Sequence, residues 1–87
     1  MEGLQWNPLK NEWLWLTRGA SFNDLVDHGT FLGTRDHPVR TQQHMLLFKY
    51  RDYIWVVPCV REGEGYFLKT LYQSRKYTKL YRRGMMP

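Results

Sequence analysis

The side chains best suited to chemistry in this chain are cations and histidines. Arg75, Lys76, Lys79, Arg82 and Arg83 crowd a short C-terminal segment, and Lys69 precedes them inside an apolar run. His28, His37 and His44 are spaced too irregularly for a metal-ligand motif. The chain carries no Gly-rich phosphate loop, HExxH pair or serine elbow. Its one cysteine, Cys59, excludes an internal disulfide and a thiolate metal cluster. Flanked by Pro58 and Val60, Cys59 reads as a buried small hydrophobe. Arg, Lys and His without a metal set suit one reaction well: cleavage of RNA by its own 2′-hydroxyl. Fixed cations stabilise the extra negative charge of the phosphorane. A base takes the hydroxyl proton and an acid protonates the leaving oxygen; histidine is the usual choice, though Lys or Tyr could serve. The aromatic residues, 16% of the chain, can stack a splayed base.

Two of these cations sit against local preference. Along Tyr66 to Tyr72 a strand's two-residue period places Phe67, Lys69 and Leu71 on one face. Tyr66, Leu68, Thr70 and Tyr72 share the other. Ser74 then caps a helix with an apolar stripe of Tyr77, Leu80 and Tyr81. Lys69 lies within an otherwise apolar strand. Arg75 and Lys76 open a helix at its positive dipole end. An anion held between strand and helix accounts for both. So does a wet sheet edge for Lys69 with a snorkelling Arg75.

The positioning elements can be read in order. Leu4-Gln5-Trp6 is a short extended entry, and Asn7-Pro8 starts a helix expected to run to about Thr17. Leu9, Trp13 and Leu16 form its expected inward stripe at i, i+4, i+7, with Trp15 off it. Gly19 ends that helix, and Ser21 with Asp24 starts a second, stopped by Gly29. Phe22, Leu25 and Val26 are its expected inward residues. Thr30 to Gln43, punctuated by Gly33 and Pro38, reads as irregular loop. Three antiparallel strands follow: His44 to Tyr50, Tyr53 to Arg61 and Tyr66 to Tyr72. Pro58 conflicts with a central strand and suggests a bulge or bend. The order β-α-α-β-β-β-α gives an α+β fold, an antiparallel meander packed against N-terminal helices, with a short basic C-terminal helix.

Composition bounds the answer. At 87 residues the chain is one domain, residues 1–87, with a modest core. A net charge of +5 points to an anionic partner such as nucleic acid or an acidic protein. The longest apolar run, Tyr53 to Val60, is too short to span a membrane, so a cytoplasmic protein is expected.

Read whole, the chain resembles the BrnT-like toxins of bacterial type II toxin–antitoxin systems. Trp6-Asn7-Pro8-Leu9-Lys10-Asn11 is similar to that family's opening W-D-P-x-K-x. Arg18-Gly19-Ala20-Ser21-Phe22 follows its basic residue, Gly, hydrophobic, Ser, Phe pattern, and His37-Pro38 matches next. Lys69, Leu71, Ser74, Arg75 and Thr78 follow its closing R/K-x-I-x-x-S-R-x-A-T-x-x-x-Y, with Tyr81 one place before its final Tyr. The chain departs from the family in lacking an acidic run after Gly29 and a His before Gly19. It also carries Lys69 where Arg is frequent, and Lys lacks the guanidinium fork.

The resemblance implies a RelE-like ribonuclease fold and a metal-independent endoribonuclease, a hydrolase without cofactor that inhibits translation. It implies an antitoxin partner, a ribbon-helix-helix DNA-binding protein, with operator DNA bound only through the complex. Carried over, it nominates Lys69 and Arg75 as transition-state cations, Arg18 as a further phosphate contact and His37 as base or acid. Arg40, Lys76 and Lys79 would hold RNA. A non-catalytic member that only binds its antitoxin, or a nucleic-acid-binding module of the same fold, are the alternatives.

Overall fold

The computed structural model describes residues 3–86. Its elements are β1 (Leu4–Gln5), α1 (Pro8–Arg18), α2 (Phe22–His28), β2 (Thr30–Asp36), β3 (Gln43–Tyr50), β4 (Tyr53–Glu62), β5 (Gly65–Leu68), β6 (Tyr72–Gln73) and α3 (Arg75–Arg82). The fold is α+β: a mixed sheet with three helices. Strand order is β1-β5-β4-β3-β2, and β6 continues along the β5 side of β4. All pairings are antiparallel except β1 with β5.

The helix ends follow local sequence. Asn7 Oδ1 accepts from the Leu9 and Lys10 amides ahead of Pro8. Gly19 closes α1 at φ 78°, a left-handed cap that suits glycine. Ser21 and Asp24 form a reciprocal capping box on α2. Ser74 Oγ accepts from the Tyr77 amide at the start of α3.

The sheet separates two cores. On one face Leu14 of α1, Ala20, and Phe22 and Leu25 of α2 pack on Leu46, Phe48, Trp55, Val57, Cys59, Leu68 and Leu71. On the other, Met45, Leu47, Ile54 and Val56 are covered in part by Leu32, Tyr77 and Met86. Thr78 fixes α3 there, its Oγ1 accepting from the Ile54 amide at 2.9 Å and donating to the Ser74 carbonyl.

Three expectations change. The first concerns α1, whose buried residue is Leu14, while Leu9, Trp13 and Leu16 face solvent. The stripe is real, but it points outward. The second concerns Thr30 to Gln43, where β2 occupies 30–36 and pairs with β3 across a bulge between Phe31 and Gly33. The third concerns the run from Tyr66 to Tyr72, which breaks after Leu68. Leu68 and Leu71 therefore enter the same core, although strict alternation puts them on opposite faces.

Pro58 supplies the cause of that break. β4 passes straight through it, Pro58 lying opposite Met45. On the other side the Lys69 amide donates to the Pro58 carbonyl at 2.9 Å. An antiparallel rung of this kind needs the reciprocal bond from residue 58 to the Lys69 carbonyl. Proline has no N–H to make it. The ladder loses a rung and resumes as β6, where Tyr72 pairs with Val56. The bend expected at Pro58 is imposed on the neighbouring strand instead.

At the far end the chain approaches itself closely. The Tyr66 amide donates to the Gly3 carbonyl at 2.8 Å. A Cβ at Gly65 would overlap that carbonyl, so β1 can pair with β5 only because residue 65 is glycine.

Candidate functional site

The interruption at residues 69–71 gathers part of the basic set. Arg18, at the last turn of α1, donates from Nη1 to the Leu71 carbonyl and to Thr70 Oγ1 (3.3 Å). It reaches the break from the α1 side of the sheet and satisfies a carbonyl there. Lys69 leans the other way. Its Nζ lies 5.2 Å from the centre of the Phe67 ring, two residues back on the α3 face. Arg75 is exposed in the first turn of α3. Lys69 is level with Pro58 and Ser74 with Ile54, since their amides donate to those carbonyls. That places the backbones at Lys69 and Ser74 roughly 13 Å apart along β4.

His37 approaches from the opposite edge. Its amide donates to the Gln43 carbonyl, which puts it in the cross-strand row of Gln43, Val60 and Phe67. By that row it shares the α3 face with Lys69, separated by three strand spacings, roughly 14 Å. Its Nδ1 accepts from the Val39 and Arg40 amides at 3.1 and 3.0 Å. A neutral His37 holding both bonds carries its proton on Nε2. It is set up as a donor, not a base. Arg40 is exposed in the same turn, and Lys76 and Lys79 are exposed on α3. The nominated residues thus line one face and its rim, with Arg18 behind the edge, and do not meet at a point.

Cation partners are unusual. Among the described residues no Lys or Arg pairs with a carboxylate; the carboxylate contact found there joins His44 to Asp36. The cations rest on aromatic rings instead, as in Lys69 on Phe67, Lys76 on Tyr77, Arg61 on Tyr66 and Lys49 on Tyr81. Interleaved cations and rings can hold a phosphate chain and stack bases.

A second cluster was not singled out from sequence. On the α1 face of the sheet, His44 Nδ1 lies 3.3 Å from Asp36 Oδ1 and the ring packs edge-on against Tyr66. A carboxylate only accepts, so Nδ1 carries the proton and Nε2 is left as acceptor. Thr41, Gln42, His44, Val60 and Arg61 line a hollow of about 320 Å³ beside it. The missed signal was Asp36 opposite His44, legible only once β2 is recognised as a strand. Cys59, beneath His44, adds no nucleophile, because burial pushes its thiol up from 9.0 to about 11. Its Sγ donates weakly to the His44 carbonyl.

Among the described residues no group of His, Cys, Asp and Glu could hold a metal ion, and no helix is long and apolar enough to cross a membrane. No protein-family model, curated protein or solved structure matches the chain.

Proposed function

We propose that this chain is a BrnT-like toxin of a type II toxin–antitoxin system, with a RelE-like fold: a metal-independent endoribonuclease that inhibits translation and is neutralised by an antitoxin. The observation that carries this reading is the α3 face of the sheet. There Lys69, Arg75 and Lys76 stand without carboxylate partners among the described residues, and Lys69 and Lys76 lie beside aromatic rings. RNA would cross this face between α3 and the β2–β3 loop. Lys69 and Arg75 would stabilise the phosphorane as the 2′-oxygen attacks phosphorus and the 5′-oxygen leaves. His37, its proton on Nε2, would hydrogen-bond a phosphate oxygen further along the strand, while water takes the 2′-hydroxyl proton and supplies one to the leaving 5′-oxygen. Arg40, Lys76 and Lys79 would hold flanking phosphates. Arg18 acts behind them by fixing the Leu71 carbonyl and with it the position of Lys69.

The test is growth after induction, wild type beside Lys69→Ala/Arg75→Ala, with protein synthesis followed by labelled amino-acid uptake. The reading requires arrest by wild type alone, and cleavage of single-stranded RNA by purified protein in the presence of a chelator. Unimpaired growth with soluble, folded wild type overturns it.

One observation favours a second reading, a non-catalytic nucleic-acid-binding or interaction module of the same fold. His37 stands three strands from Lys69, so no acid–base pair brackets that cation. RNA binding without cleavage, weakening steeply with salt, would select it.

A further inference from the structure

Helix α1 leaves four large apolar side chains exposed and encloses one. Leu9 and Leu16 are 77% and 74% exposed, Trp13 and Trp15 47% and 58%, whereas Leu14 is fully enclosed. At 3.6 residues per turn Leu9, Trp13 and Leu16 form one stripe on the side opposite Leu14. The two flanks of the stripe differ. Toward α2, Asn11, Glu12, Trp15, Leu16 and Ser21 line a hollow of about 380 Å³. On the other flank are two cations against one ring: Lys10 Nζ lies 4.7 Å and Arg18 Cζ 5.8 Å from the centre of Trp13.

We propose that the outer face of α1 is a docking surface for an acidic amphipathic helix of another protein. Spacing at i, i+4, i+7 offers a seam to an incoming helix, read through apolar anchors at the same intervals. The hollow beside Trp15 accepts a large apolar side chain from it, the kind of anchor on which interface energy concentrates. Carboxylates on its flank meet Lys10 and Arg18, which lack such partners among the described residues. A second copy fits poorly, because it would oppose two chains of charge +5 across these cations. A lipid surface fits poorly too, because Glu12 borders the stripe and headgroups supply nothing to fill the hollow. The inference does not rest on the ribonuclease reading.

The experiment is selection of a displayed helical-peptide library on the whole chain, with counter-selection on Leu9→Glu/Leu16→Glu. The recovered peptides carry apolar residues at i, i+3 or i+4, and i+7, with Asp or Glu along one flank. Lys10→Glu weakens them roughly tenfold, about 1.4 kcal/mol, and exchanging the flank carboxylates for lysines restores binding to that variant. This charge swap does not depend on how the double variant folds. The proposal is overturned by binders without acidic bias, or by binders indifferent to both variants. It is equally overturned if sedimentation finds a dimer of the chain that Leu16→Glu dissolves, or if anionic phospholipid vesicles adsorb the protein through this stripe.

Discussion

The Lys69 amide gives a hydrogen bond to the Pro58 carbonyl, and Pro58 returns none. This one-sided rung links a backbone deficiency in a central strand to the exposure of a cation on its neighbour. A residue with an N–H at position 58 would let the β5 ladder run on. Lys69 would then be an ordinary member of a continuous strand, and the Leu71 carbonyl would not be displaced towards Arg18.

Replacing Pro58 with valine restores the missing donor opposite the Lys69 carbonyl. Urea unfolding should show a gain of about 1 kcal/mol, the net worth of one such bond. A lower midpoint would mean that the new N–H stays unpaired and that the break has another cause.

Arg18 and Lys69 separate by role. Arg18→Ala strands the Leu71 carbonyl, at a cost of about 1 kcal/mol given the exposure of the guanidinium. Lys69→Ala leaves the denaturation midpoint in place while RNA cleavage falls. Equal losses of stability in the two variants would remove Lys69 from the functional set.

The orientation of α1 gives an unequal pair. Leu14→Ala should cost about 2–5 kcal/mol as a core deletion, and Trp13→Ala less than about 1 kcal/mol, because its ring is half in water. Calorimetric melts of the two variants decide this; a large loss at Trp13 would put the ring in a core.

His37 can be divided into its two nitrogens. Asparagine at this position keeps an acceptor for the Val39 and Arg40 amides but offers no ring N–H to a substrate. His37→Asn should therefore preserve the turn, seen as unchanged amide shifts of residues 39 and 40, while cleavage drops at least as far as in His37→Ala. Full activity in His37→Asn would confine the ring to holding the loop.

Cys59 sets a pH signature. Its folded thiol titrates at about 11 and its ordinary value is 9.0. Below pH 9 both states hold the proton and stability is unaffected. Between the two values the unfolded state releases it first, so stability falls as pH rises and levels off above about 11. Cys59→Ala should remove this slope from urea midpoints measured across the range. An identical slope would assign the loss to other groups.

Local signals carried the helix ends. Asn7-Pro8, Ser21 with Asp24, and Ser74 each cap a helix through bonds spanning two or three residues, so sequence neighbours suffice to read them. The facing of α1 was hidden because amphipathicity gives an apolar stripe without saying what covers it. Here one leucine holds the core while the more regular stripe faces outward. β2 was hidden because it is an edge strand, largely exposed and bulged beside Gly33. The strand break was hidden because proline acted across the sheet on a strand distant in sequence. For the site, the identity of the cations could be read, since charge is a property of residue type. The spacing of Lys69, Arg75 and His37 could not, because it depends on strand order. The proton positions on His37 and His44 were equally out of reach, since each is fixed by a partner that only the fold supplies.

The parallel pairing of β1 with β5 sets an order of assembly. Leu4 lies opposite Tyr66, so every element from α1 to β4 must be made before β1 meets its partner. The β2–β3–β4 meander closes through short connections and can form early. Closing the long loop costs conformational entropy before its few contacts repay it. A nascent chain would therefore hold β1 unpaired until the ribosome had passed the codons for β5, well after α1, α2 and the meander had been made.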